Sequence, residues 1–112
     1  MAFRRYGKLR DQIVELQRLL DLCELANART STDDLAASAE ARRAYRELCR
    51  NGFEVAMALA TATGALDELL GNRQTEAHWD AARSARFEWE RRFNTSQVLV
   101  QQVEDSENGD AE

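Results

Sequence analysis

Arg73 and His78, five positions apart in RQTEAH, are the residues of this chain best suited to chemistry on a phosphodiester. A histidine exchanges protons near neutral pH, and an arginine neutralises charge that builds on a phosphate. The pair falls at the start of an expected helix, where backbone N–H groups attract anions. The plain alternative is an exposed first-turn histidine, because with fourteen arginines such a spacing arises readily. Arg42, Arg43, Arg46 and Arg50 are a second group. At i, i+4 spacing they form a stripe able to hold phosphates. Glu40, Glu47 and acids on the first helix neutralise it, so an ion-paired, solvated face is expected. Cys23 and Cys49 fall on different helices, more than a turn apart. No disulfide is expected, and both thiols read as small apolar residues. There is no CxxC, and one histidine with scattered carboxylates makes no zinc site. No metal and no cofactor are expected.

Three short stretches resemble known families. The Arg73–His78 spacing resembles the arginine–histidine motif of HEPN-type RNases, small all-α bundles that dimerise to pair two such motifs. The resemblance implies that Arg73 binds the scissile phosphate and that His78 assists attack of the ribose 2′-hydroxyl. LATATGALDEL, with Leu59, Ala62, Gly64, Leu66, Glu68 and Leu69, is similar to a stretch of the four-helix-bundle proteins of rRNA intervening sequences. The proline-containing turn of that family is absent, since this chain has no proline. KLRDQIVELQRLLDLCE is similar to the opening helix of helical chorismate mutases. Arg10 and Arg29 fit its cationic pattern, but Lys8 is the only lysine and the family's central lysine has no counterpart. That activity is therefore excluded.

The elements that position these residues are all helical. Ala, Leu, Glu, Arg and Gln dominate, all good helix formers, and five glycines without proline leave little turn chemistry. Apolar residues at Tyr6, Leu9, Ile13, Leu16, Leu20 and Cys23 mark a first helix over about 3–28. Leu19, Leu22 and Leu25 widen its stripe. Ser31, followed by Asp33 and Asp34, opens the next helix. That helix is expected to run unbroken from about Thr32 to Leu70, along Ala41, Tyr45, Leu48, Gly52, Val55, Leu59, Ala62, Leu66 and Leu69. The alternative is a break at Asn51-Gly52; unbroken apolar phase favours one helix. Gly71 ends it. A third helix spans about 74–103, with Trp79, Ala82, Trp89, Phe93, Ser96, Val100 and Val103 inward and Arg86 snorkelling among them. The expected fold is an all-α antiparallel bundle of three long helices, or four if the second breaks at Asn51-Gly52.

The uncharged stretch Val55–Leu66 is the strongest compositional feature, in a chain that is 31% charged. Gly52, Ala56, Ala60 and Gly64 are each four apart and make a ridge almost without side chain. Such a ridge lets a second backbone or a ring approach closely, as an oligomer or close-packing surface. Pairing the helices around a first turn near residue 30 puts Phe3 beside Ala58 and leaves residues 59–70 and 74–85 without a third helix, an overhang for another subunit. Pairing the second and third helices puts Trp79 beside Gly64 and Trp89 beside Glu54–Val55.

Charge and length limit the function classes. The net charge of −5 comes from the last nine residues, EDSENGDAE, with five acids and no base; residues 1–103 balance. A neutral body argues against a nucleic-acid mimic and against strong non-specific nucleic-acid binding. The expected organisation is a bundle over 1–103 and a disordered acidic tail over 104–112. The basic N-terminus has no apolar run behind it as a signal peptide would, and the uncharged stretch is too short to span a bilayer. The cytoplasm is the expected compartment, and the arginine excess over lysine suggests a bacterial source. The functional expectation is a non-enzymatic helical interaction module, a scaffold, adaptor or small accessory subunit, whose partners are itself and another protein. The alternatives are a HEPN-type RNase using Arg73 and His78, and a nucleic-acid-associated accessory bundle using the Arg42–Arg50 stripe.

Overall fold

Two serines decide where the chain turns. The computed structural model describes residues 2–71 and 76–110, with the side chains of 4–71 and 79–106. Helix α1 spans Ala2–Ala28. Ser31 then caps the short α2, Thr32–Ala37, by accepting the Asp33 N–H at 3.2 Å, with Asp33 and Asp34 in its first turn. Ser38 is extended, at φ −132° and ψ 123°, and its hydroxyl accepts the Ala41 N–H at 3.1 Å. It is the N-cap of α3, Ala39–Leu70. The expected single helix from Thr32 is thus broken, because a serine hydroxyl offers the backbone an alternative to the helical ladder. Arg42 secures the break: its Nη1 donates to Leu35 O at 2.6 Å and to Ala36 O at 3.2 Å, two carbonyls that the end of α2 leaves orphaned.

Helix α3 runs through Asn51-Gly52 without interruption. Gly71 closes it in the left-handed conformation, at φ 63°, its N–H reaching the Asp67 and Glu68 carbonyls. Helix α4 spans Glu76–Asp110 and so continues beyond Val103. The fold is all-α, a bundle of α1, α3 and α4 in which the described residues contain no strand.

Helix α3 is central and packs against both α1 and α4. It therefore buries two adjacent faces. Leu59 and Ala60 are buried beside Ile13, Leu16 and Ala82, while Cys49 and Ala56 are buried with Trp89. The uncharged stretch is not buried all round: Met57 and Thr61 face outward. In the register of α4 on α3, Trp79 lies over Gly64 as expected, while Trp89 lies over Gly52, two to three residues before the expected Glu54–Val55.

The register of α1 departs further. The Tyr45 hydroxyl meets Asn27, where the expected pairing sets Tyr45 opposite Leu16, and Leu9 lines a groove with Ala58, Thr61, Ala62 and Ala65. The helix is displaced by roughly three turns toward the end of α3. The cause is α2, which takes up residues that the expected helix would have used to pair with α1. The displacement carries α1 over much of the surface expected as an overhang. The molecule is rod-shaped, 64 × 22 × 22 Å, with a radius of gyration of 17.9 Å; about 13 Å is usual for a compact domain of this length.

Candidate functional site

The small-residue ridge is occupied within the chain. Gly52, Ala56 and Ala60 are buried, and the indole of Trp89 lies flat on Gly52. A methyl group at Gly52 would stand 2.2 Å from ring carbon Cε3 of Trp89. At Gly64 the corresponding distance to Trp79 is 3.2 Å. The ridge thus seats two rings of α4, tightly at one end and loosely at the other.

Around Trp89 lies the most connected group of polar side chains. The Arg92 guanidinium sits 4.5 Å from the Trp89 ring centroid. It bridges Glu24 of α1 at 3.0 Å and Glu88 at 3.3 Å, linking α1 to α4. Hydrogen bonds from Arg91, with Arg92 beside them, hold the Glu88 carboxyl below the usual glutamate range. The Tyr45 hydroxyl donates to Asn27 Oδ1 at 3.2 Å, tying α3 to α1. Burial, with the Cys49 thiol as neighbour, pushes the Tyr45 phenol up to about 12. Cys49 is fully buried. Burial raises its thiol, and hydrogen bonds with Tyr45 and Ser96 offset that only in part. Ser96 is also fully buried and donates to Phe93 O at 2.7 Å. A thiol held protonated in this way is a poor nucleophile. The cluster ties three helices together rather than presenting a reactive group to solvent.

Sequence reasoning anticipated Trp89, Phe93 and Ser96 as inward-facing but missed Arg92. Its signal was available: Glu88 stands one turn before it and Trp89 three residues before it, on one helical face. Arg86, expected among the inner residues, is exposed, with its guanidinium 5.9 Å from the Phe87 ring; Ala85 is the residue that packs inward. Cys23 and Cys49 are both free thiols.

The arginine stripe is divided among different tasks. Arg42 is half-buried on the α2 carbonyls, its Nε buried without an acceptor. It borders a cavity of about 690 Å³ between α2 and the later part of α4, walled by Leu35, Ala36, Leu99 and Val103. Arg50 pairs with Glu54 at 3.4 Å, Arg43 also makes an interaction, and Arg46 is half-buried. Arg73 and the side chain of His78 lie outside the described residues. Among the described residues, no group of three His, Cys, Asp or Glu side chains could hold a metal ion, and no helix is long and apolar enough to cross a membrane.

Outward-facing apolar side chains are concentrated on α1. Val14, Leu22 and Leu25 are all about half exposed, and no described side chain of α1 is fully buried. Compared with models of protein families, with curated proteins and with solved structures, the chain matches none.

Proposed function

We propose that the protein is a non-enzymatic helical interaction module that self-associates and serves as a scaffold, adaptor or small accessory subunit in the cytoplasm. Its surface area carries this reading. The chain exposes 7824 Å² for a mass of 12.7 kDa, whereas a folded monomer of that mass exposes about 6,200 Å². The surplus is about 1,600 Å², twice the ~800 Å² that each partner contributes to a standard interface. A rod of three helices keeps part of every helix face in water, and pairing two rods removes that surface. The expected result is a solution mass of twice 12.7 kDa by light scattering on the full chain; a monomer up to high micromolar concentration overturns the reading. The non-enzymatic part has its own test. Purified protein is expected to leave structured RNA intact, and metal-independent cleavage abolished by His78→Ala or Arg73→Ala, with helicity retained, replaces this reading with the RNase one.

A further inference from the structure

We propose that two copies of the chain pair through the outward face of α1, antiparallel and centred on its apolar stripe. The inference rests on the self-association reading and adds the surface and its geometry. Val14, Arg18, Leu22 and Leu25 follow one another at spacings of four, four and three, which places them on one helical face. Val14 is 59%, Leu22 51% and Leu25 47% exposed. The large exposed apolar residues of α3 and α4 form no such stripe, and Val98, 56% exposed on α4, has only Asn94, Thr95, Gln101 and Gln102 one turn away. Phe87 lies near the guanidinium of Arg86. Met57 borders a groove already flanked by Leu9. Leu70 stands alone at the end of α3.

Charge supplies the occupant and the direction. The stripe from Val14 to Leu25 has its midpoint between Leu19 and Leu20. An antiparallel copy about that point sets Val14 opposite Leu25 of the partner subunit and Arg18 opposite Asp21 of the partner subunit. By two-fold symmetry each pairing occurs twice. Arg18 already holds Glu15, but both side chains are more than half exposed. Such a pair is weak and leaves guanidinium N–H groups for a second carboxylate. A parallel pair would instead set Arg18 against the partner's arginine and Asp21 against its aspartate. The surplus surface is enough for this contact together with flanking residues.

The experiment uses sedimentation equilibrium on the full chain and five variants, with circular dichroism to confirm helicity. In Leu22→Glu/Leu25→Glu, dimer dissociation is expected to be at least tenfold easier, while Phe87→Glu leaves it unchanged. Arg18→Asp alone and Asp21→Arg alone each weaken the dimer, and Arg18→Asp/Asp21→Arg together restores it. A dimer that survives the α1 double substitution, or single swaps that the double swap does not rescue, overturns the proposed face while self-association stands. A wild-type monomer at all concentrations overturns the self-association reading itself.

Discussion

The two interfaces of α3 are built on opposite principles. Toward α4 it presents Gly52, Ala56 and Gly64, and large rings lie directly on its backbone. Trp89 becomes fully buried there. Toward α1 it meets leucines and an isoleucine, and Leu9, Ile13, Leu16 and Leu20 remain half-buried. There the bulk comes mainly from α1, set against Ala58, Leu59, Ala60 and Ala62 of α3, and among the described residues no third helix covers the outer side of α1 in the rod. Close approach, more than hydrophobic content, decides which side forms the core. The α3–α4 side forms most of the core; on the α1 side the facing side chains stay half-buried.

The largest expected effect tests the tight interface. Trp89→Ala should cost about 3–5 kcal/mol, as large core truncations do. Gly52→Ala tests the same contact from the other side. In an exposed helix interior that substitution gains about 1 kcal/mol. Here the new methyl would meet the Trp89 ring at 2.2 Å, and overpacking of this kind costs about 1–3 kcal/mol. The sign should therefore reverse with background: Gly52→Ala destabilises the wild type but stabilises the Trp89→Ala protein. A urea-denaturation double-mutant cycle measures this coupling. Additive effects would mean that the ring does not rest on Gly52.

By contrast, truncation on the α1 side should be milder. Leu16 is only half-buried, so Leu16→Ala should fall at or below the low end of the 2–5 kcal/mol range for leucine truncation. A thermal midpoint as low as that of Trp89→Ala would mean that the two interfaces contribute equally, removing the basis of the comparison.

A smaller effect separates the interfaces by pH. Burial raises the Cys49 thiol, and the Tyr45 phenol is pushed from 10.0 to about 12. A folded-state pKa above the unfolded one favours the folded state while the group is protonated. That contribution is complete below the unfolded pKa and is lost as pH rises through the folded one. Stability should be level to about pH 8, then fall from about 9, where an unfolded thiol titrates, toward 12. Cys49→Ala should make the fall between pH 9 and 10 shallower without removing it, because burial also raises the Cys23 thiol, and the Tyr45 contribution follows from about pH 10, where an unfolded tyrosine ionises. Urea midpoints at pH 7, 9 and 10.5 measure this. A level wild-type curve to 10.5 would show that water reaches the cluster.

Much of the fold was legible in the sequence, and where it was not the reasons are physical. Apolar spacing located the inward faces of α1, α3 and α4, and the glycine ridge aligned with the tryptophans because both are strong, local signals. Ser38 carried no comparable signal. Serine is tolerated within helices, and here its capping bond to Ala41 is joined by the Arg42 bonds to the preceding carbonyls, which only the folded chain shows. That single turn displaced α1, and with it the expected overhang. Tyr45 and Ser96 were legible as inward-facing, but their meeting with Cys49 was not, because a central helix buries two faces and single-face periodicity marks only one. The arginine stripe was visible as spacing, but its division among backbone, carboxylate and half-buried positions depends on tertiary packing.

The smallest expected effect concerns the second glycine of the same ridge and tests whether close approach is local or continuous. Gly64→Ala places a methyl 3.2 Å from the Trp79 ring. That is tight, so the ring must yield by a few tenths of an ångström. Trp79 is only half-buried and lies near the beginning of α4, where it has fewer neighbours to hold it than Trp89 has. The helix-propensity gain of roughly 1 kcal/mol should therefore match or exceed the contact cost. Differential scanning calorimetry should find Gly64→Ala within about 1 kcal/mol of wild type, on the stabilising side, while Gly52→Ala destabilises. If both glycines cost the same, the ridge is one rigid seat along its whole length. If they differ as expected, α3 and α4 are clamped at Trp89 and loosen toward the turn that joins them.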